Sequence, residues 1–489
     1  MKTTFKRISA LVMAVLVFMT AFVPSYAFIE DDIVWVDKDL MWAAGWEKEY
    51  ENAVILFPGS DDSEMNVSWY SETESQPRVV VSEDSLLSRD TETFTGYCVE
   101  TYDGDFSNKV TITGLEAGKV YHYRCYSEGF ESAIYYFKTD EDENEFTALY
   151  MTDIHITHMN NDVLDEAELK RTSGIFNDTL NEAYIRHMPS ILLSTGDQAS
   201  YGLQSEYKGF SSPLVLKTIP VATTIGNHDR KGVAYKTFTN MPNQDDALVS
   251  SYIGDDYWFR KGDVLFLVVD SNNASGMDHR NFVRDAVRAN PDAKWKVMMA
   301  HHDLYSGRLP NRESENQLLR WVWGPIADEF GIDLFLLGHS HYYTVSNPIY
   351  NQKSVADYQP VMKDNEGTVY MVSGSITRPR DDDEIGLNEE WIGYANVPDD
   401  RIIYNVLDFT EDSIVVSSYY TGERDAFNSY KIVKTTHKGG HPDLIIPSPI
   451  DGFVRFIGTI YAFFNNIGVY DDLTGRYGFD VNFFDIVFA

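Results

Sequence analysis

Phe146-Thr147-Ala148-Leu149-Tyr150-Met151-Thr152-Asp153-Ile154-His155 decides the reading of this chain, because an apolar run of strand length ends there in two potential metal ligands. The pattern recurs. Runs of buried-strand length at Ile191–Ser194, Val221–Ile225, Val264–Val269, Lys296–Ala300, Asp333–Leu337 and Thr368–Ser373 alternate with longer helical stretches, which predicts α/β organisation. Five polar clusters sit where these runs end: Asp153-Ile154-His155, Gly196-Asp197, Gly226-Asn227-His228-Asp229, His301-His302 and Gly338-His339-Ser340-His341. In α/β sheets ligands bind at the carboxyl ends of strands. Half of the 12 histidines fall in these clusters, and that concentration points to a metal site.

A single Gly-Asp or strand-end histidine carries little weight, but five such clusters in order are specific. Imidazole, carboxylate and amide oxygen suit zinc, manganese or iron, and with only Cys98 and Cys125 in the chain an all-cysteine site is excluded. A two-metal centre needs about seven protein ligands, and Asp153, His155, Asp197, Asn227, His301, His339 and His341 supply them if one carboxylate reaches both ions. His228 is left over beside the site. As an imidazolium it is a candidate to bind a phosphate oxygen or protonate a leaving alkoxide, with Asp229 next to it to keep it charged and oriented.

The order DxH, GD, GNHD, strand-end His and GHxH resembles the calcineurin-like metallophosphoesterase superfamily, from Phe146 to about Val433. The resemblance implies an α/β (α+β) β-sandwich flanked by helices. It also implies that Asp153, His155, Asp197 and His341 hold one ion while Asp197, Asn227, His301 and His339 hold the other, with Asp197 bridging. The expected function is that of an exported dimetal phosphohydrolase cleaving phosphate monoesters by attack of a metal-bridging hydroxide. Its cofactors would be two divalent or mixed-valence ions among Fe, Zn and Mn, and its substrate a small phosphoester. A phosphodiesterase acting on a cyclic nucleotide or headgroup diester, and a non-catalytic surface-binding protein, are the alternatives. No G-x-S-x-G supports a serine hydrolase, and no H-E-x-x-H supports a zinc peptidase. One departure from purple acid phosphatases stands out: Ser200 occupies the place of their iron-binding tyrosine, so His155 is expected to replace that ligand in a site that is not purple. Arg308 is a candidate substrate contact. His158 and Asp270 are expected to be structural, and His302 to be a possible substitute for His301.

Outward from this half, residues from about Asn52 to Lys138 alternate in short strands separated by Gly, Asp and Ser turns. They resemble the fibronectin type III-like sandwich that precedes purple acid phosphatase catalytic domains. Period-two alternation puts Tyr121, Tyr123 and Cys125 on one face of a strand and His122 and Arg124 on the other. The acidic connector Asp140–Glu145 reads as a solvated linker. The expected domains are a signal peptide at 1–27, the all-β domain at 28–143, the metallophosphoesterase domain at 144–436 and a tail at 437–489.

Lys2, Lys6 and Arg7 ahead of a short apolar stretch, then Ser25-Tyr26-Ala27, read as a cleavable export signal, so the protein is expected to be secreted or envelope-associated. Export permits a Cys98–Cys125 disulfide, and two free thiols fit equally well. No later segment reaches the ~20 apolar residues of a membrane span. The tail is expected to be a helix packed on the catalytic domain, and it or the all-β domain offers an envelope contact. A net charge of -35 repels phosphate backbones, which argues against nucleic-acid binding and leaves metal ions to attract an anionic substrate. In the helical stretch before Asp333, Leu318, Val322, Ile326 and Phe330 form an expected core stripe.

Overall fold

The computed structural model describes residues 46–435, except 143, 161–162, 246–255, 274, 308–312, 380–388 and 397–399, together with the paired strands Tyr470–Asp471 and Arg476–Tyr477. The expected signal peptide, Arg308 and the body of the 437–489 tail lie outside the described residues.

The N-terminal all-β region is two antiparallel sheets. One runs Ile55–Pro58, Glu64–Ser71, Phe106–Thr113, Tyr97–Glu100. The other runs Glu92–Thr95, Arg78–Ser82, Val120–Ser127, with Phe130–Glu131 and Tyr135–Lys138 both paired to the last. Alternation sends Trp69, Val79, Tyr123, Cys125 and Phe137 into a common core, with Tyr121 packed against it. Cys98 and Cys125 are free thiols. The connector departs from the expected solvated linker: the Lys261 ammonium pairs with Asp140 and also with Asp62 at 3.2 Å, which pins the connector to the second domain.

That domain is built on two seven-stranded sheets. Its elements are β1 (Phe146–Met151), α1 (Glu166–His187), β2 (Ile191–Ser194), α2 (Gln204–Ser211), β3 (Val221–Thr223), α3 (Ala234–Phe238), β4 (Tyr257–Lys261) and β5 (Val264–Val268). After these come α4 (Gly276–Ala289), β6 (Trp295–Met299), α5 (Glu313–Phe330), β7 (Leu334–Leu337), β8 (Thr344–Ser346), β9 (Val361–Lys363) and β10 (Val369–Val372). The last four are β11 (Ile392–Ala395), β12 (Ile403–Thr410), β13 (Ser413–Tyr420) and β14 (Asn428–Val433).

The first sheet has the order β3-β2-β1-β12-β13-β14-β9 and the second β4-β5-β6-β7-β10-β8-β11. β1, β2 and β3 are parallel, as are β5, β6, β7 and β10. Parallel strands are covered on both faces, which is why their sequences read as unbroken apolar runs. Between the sheets Phe146 of β1 stacks on Phe409 of β12 at 4.6 Å, and Phe266 of β5 meets both. Tyr150 of β1 donates its hydroxyl hydrogen to the Leu337 carbonyl, which ties β1 to β7. On the outer face of the second sheet, Leu265, Leu267, Met298 and Phe335 pack against Phe282 and Val283 of α4 and against α5. The α5 stripe starts one residue later than expected, with Leu319 in the core beside Val322, Ile326 and Phe330 while Leu318 is only partly buried. No described helix is long and apolar enough to cross a membrane.

The all-β region is fastened to this scaffold through α3. Ser68 Oγ donates to Phe238 O at 2.9 Å, and Ser107 Oγ to Thr237 O at 2.6 Å. Lys109 Nζ donates to Lys236 O and Thr239 O, while burial pushes its amine down to about 8. Phe57 meets the Phe238 ring edge-on at 5.5 Å.

Burial at the end of α5 pushes the Asp328 carboxyl up to about 6, although its Oδ2 accepts the Asn351 N–H. A folded-state pKa above the unfolded value near 3.8 means that stability is lost as pH rises through about 6. Asp328→Asn is therefore expected to match the parent near pH 4 and to exceed it by about 1–2 kcal/mol at pH 8, after a discount for partial exposure. Denaturant midpoints at the two pH values measure this, and an equal difference at both would refute it.

Candidate metal centre

Five of the seven candidate ligands sit on backbone that L-residues avoid. Asp153, His155, Asp197, His339 and His341 have φ of 50°, 51°, 52°, 74° and 61°. Each such residue costs about 1–3 kcal/mol, and strain of this kind gathers at functional sites. Neighbouring strand ends impose it: Asp153 N donates to Gly196 O and His155 N to Asp197 O, at 3.1 and 2.8 Å. The glycines of the motifs have steric reasons. A Cβ on Gly226 would lie 2.0 Å from Asp197 Oδ1, and one on Gly338 would lie 2.6 Å from Asp153 Oδ2.

The loops after β1, β2, β3, β6 and β7 bring all seven side chains together in two sets. In the first, His155 Nε2 lies 3.2 Å from His341 Nε2, 3.8 Å from Asp153 Oδ1 and 3.6 Å from Asp197 Oδ2, and His341 Nε2 lies 3.1 Å from Asp153 Oδ1. In the second, His301 Nε2 lies 3.4 Å from Asp197 Oδ2 and 3.1 Å from Asn227 Oδ1, while His339 Nδ1 lies 3.0 Å from Asn227 Oδ1 and 3.2 Å from His301 Nε2. Asp197 Oδ2 belongs to both sets.

These residues fit metal ions. Donors bonded to one ion at about 2.1 Å lie roughly 3–3.5 Å from each other, and the separations here run from 3.0 to 3.8 Å. Asp153 Oδ1 is buried and accepts no hydrogen bond among the described residues. Two ligands are also oriented from behind, since His301 Nδ1 faces Thr195 O at 2.9 Å and His341 Nδ1 faces Arg378 O at 3.1 Å, which turns each Nε2 toward the site. Burial pushes the Asp153 and Asp197 carboxyls up, but the His341 and His301 imidazoles respectively outweigh it. Asp153 is held at about 2, and Asp197 well below the ordinary carboxylate range. Burial holds His155 well below its ordinary value, in the neutral form a ligand needs.

His228 lies against this centre. Its N–H donates to Asp197 Oδ1 at 2.8 Å, its ring meets that of His155 edge-on at 4.7 Å, and its Nδ1 faces Ser200 O at 2.9 Å. With Nδ1 turned to a carbonyl, Nε2 is left to meet a substrate. Asp229 takes a different place from the one its position beside His228 suggests. Its buried carboxylate accepts from Ala199 N, Tyr207 OH and Gly226 N, each at 2.9 Å, so it shapes the loops and neither orients the imidazole nor keeps it charged, and burial with the nearby Lys231 ammonium holds His228 below its ordinary value. His302 bonds Ser271 Oγ at 2.8 Å, and the Ser271 hydroxyl also accepts the His301 N–H at 3.2 Å. Asp270 accepts from Asn272, and His158 pairs with Ser205 Oγ, both outside the donor sets.

Residues 146–343 match the family described as calcineurin-like phosphoesterase, and residues 51–139 match the one described as purple acid phosphatase, N-terminal domain. The chain carries a calcineurin-like phosphoesterase domain behind a purple acid phosphatase N-terminal domain. Among solved structures, the chain is similar to a purple acid phosphatase from yellow lupin (Lupinus luteus) seeds, with TM-score 0.65 and 15% identity, covering 81% of this chain and 77% of that one. It is also similar to PhoD, with TM-score 0.53 and 14% identity, covering 86% of this chain and 98% of that one. At these identities the likeness is one of fold. No curated protein sequence matches the chain significantly.

The mouth of the phosphoesterase site holds two cations that sequence reasoning missed. Lys231 Nζ lies 2.7 Å from His228 Nδ1 and over the Tyr201 ring, and Arg378 donates from Nη2 to Ser200 Oγ at 3.0 Å. Lys231 stands two residues after the GNHD motif, a signal that could have found it. Arg378 carries no motif.

Proposed function

We propose that this chain is a dimetal phosphatase that hydrolyses small phosphate monoesters and is exported through residues 1–27. The observation that carries the reading is Asp197 Oδ2, placed 3.6 Å from His155 Nε2 and 3.4 Å from His301 Nε2, one carboxylate oxygen common to two complete donor sets. Iron, zinc and manganese all suit those donors. Bound there, divalent ions supply Lewis acidity toward phosphoryl oxygens and a nucleophilic water at neutral pH. The chain's own residues do the rest. Asn227 and the histidines fix the donors, and His228 binds a phosphate oxygen and passes its proton to the departing alkoxide. Lys231 and Arg378 offset charge at the mouth of an otherwise strongly acidic protein, which supports a dianionic substrate over a diester. Ser200 leaves no tyrosine phenolate at that position, which supports a site that is not purple.

The test is turnover of an aryl phosphate monoester and the matching diester by mature protein reconstituted with manganese, zinc or iron, then chelated. Chelator-sensitive turnover that is faster on the monoester is expected. Preference for the diester would overturn the substrate class, and no turnover in protein holding two ions would overturn the enzyme reading. In the same assay His228→Ala is expected to keep its metal and lose about 100- to 10,000-fold in turnover. Turnover equal to the parent would remove His228 from the mechanism.

A further inference from the structure

We propose that Arg378 is a specificity-determining residue of this site, its guanidinium holding the outer oxygens of the substrate phosphate and favouring dianionic monoesters over monoanionic diesters. The inference rests on the phosphatase reading and names the residue that sets its substrate class.

The first support is position. Arg378 follows β10 in a loop that bonds two residues of the first donor set. Its carbonyl faces His341 Nδ1 at 3.1 Å, its N–H donates to Ser375 Oγ at 3.0 Å, and Ser375 Oγ in turn donates to Asp153 O at 2.6 Å. Thr377 Oγ1 adds a bond to Ile154 O at 2.7 Å. The Arg378 backbone is thereby set beside two ligands of the first donor set.

The second support is the side chain. From that backbone Arg378 reaches Ser200 Oγ, and Ser200 is the residue whose carbonyl receives His228 Nδ1. One residue therefore anchors both the candidate acid and the guanidinium, which places the two around the same space. Arg378 is exposed, and among the described residues its guanidinium bonds only that hydroxyl and pairs with no carboxylate. A guanidinium has five N–H donors in a planar fork that matches two phosphate oxygens, so one hydroxyl leaves most of its capacity unused. In a protein with net charge -35, such a cation at the mouth of an anion-handling centre has an electrostatic purpose. A monoester dianion presents one more negative oxygen than a diester, and a charge-assisted fork is the group that distinguishes them.

The rival account is that Arg378 merely braces Ser200. The two differ in selectivity, since a lost brace would disturb His228 and slow both esters alike, whereas a lost phosphate contact weakens phosphate binding and falls on the dianionic ester. The experiment uses the mature chain loaded with manganese, its metal content verified, as parent, Arg378→Ala and Arg378→Lys. Binding of inorganic phosphate is measured by calorimetry, and kcat and KM are measured for an aryl phosphate monoester and the matching diester. Expected for Arg378→Ala is a roughly 10- to 100-fold loss in phosphate affinity and in monoester kcat/KM, with diester kcat/KM within about threefold of the parent. Arg378→Lys is expected to recover part of the phosphate affinity.

Phosphate affinity within twofold of the parent in Arg378→Ala overturns the proposal, as does an equal loss on both esters. If the parent hydrolyses neither ester, the phosphatase reading fails by itself. The phosphate titration still decides whether Arg378 binds the anion.

Discussion

Asp197→Asn is expected to lose metal and turnover together. The substitution is nearly isosteric, and the Asp197 side chain touches both donor sets through one oxygen while its other oxygen receives the His228 N–H at 2.8 Å. An amide can present its oxygen to one set only, and it brings no charge to either. The imidazoles then converge without the anion that balances them. Burial pushes His301 down, and it is Asp197 that outweighs burial and raises it to about 10, so the variant strips His301 of its partner as well. Breaking a buried charge pair by removing one member costs about 3–5 kcal/mol of stability, and a site that no longer holds its ions is expected to lose about 1,000-fold or more in turnover. Elemental analysis after dialysis, paired with monoester turnover, measures both. A variant that retains the parent's ions and rate would show that Asp197 does not bridge.

Gly226→Ala is expected to have an effect nearly as large without replacing any donor. The added methyl would lie 2.0 Å from Asp197 Oδ1 and 2.4 Å from Asp197 N. The first contact could be relieved by rotating the carboxylate, but the second is with backbone and cannot. Either the β3 loop moves, taking Asn227 and His228 with it, or Asp197 leaves its strained position. Overpacking of this kind costs about 1–3 kcal/mol in stability, and an ångström of misplacement in a catalytic site costs about 100-fold in rate. The measurement is turnover with thermal midpoint. Parent-like turnover would mean that the loops yield more easily than the contacts allow.

The seven donors were legible because each belongs to a short contiguous motif at the end of an apolar run, so local pattern alone places it at a strand end. The alternation of runs and helices likewise disclosed the buried strands of an α/β domain, while their arrangement in two layers followed from the family resemblance. What escaped is direction and distance. Asp229 stands next to His228 in sequence, yet its carboxylate turns to Ala199, Tyr207 and Gly226, because a side chain's aim depends on the loop's backbone. Arg378 reaches Ser200 from far along the chain, a pairing made by the fold and carried by no motif. Asp140 looked like part of a solvated charge run until Lys261 met it. Leu318 and Leu319 were indistinguishable at the resolution of a four-residue period, and only the helix's rotation about its axis chose between them.

The fastening of α3 to the all-β region bears on how the protein comes apart. The segment after His228 and Asp229 runs directly into α3, whose carbonyls at Lys236, Thr237 and Phe238 are satisfied by Lys109, Ser107 and Ser68 of the other domain. Excising that domain would leave these acceptors facing water, and strip the Phe57 contact from the Phe238 ring, within ten residues of the candidate acid. The all-β domain is therefore a splint and not a detachable module, and the two domains are expected to melt together, with a single calorimetric transition as the check. The active-site loop inherits its order from a neighbour that contributes no ligand to it.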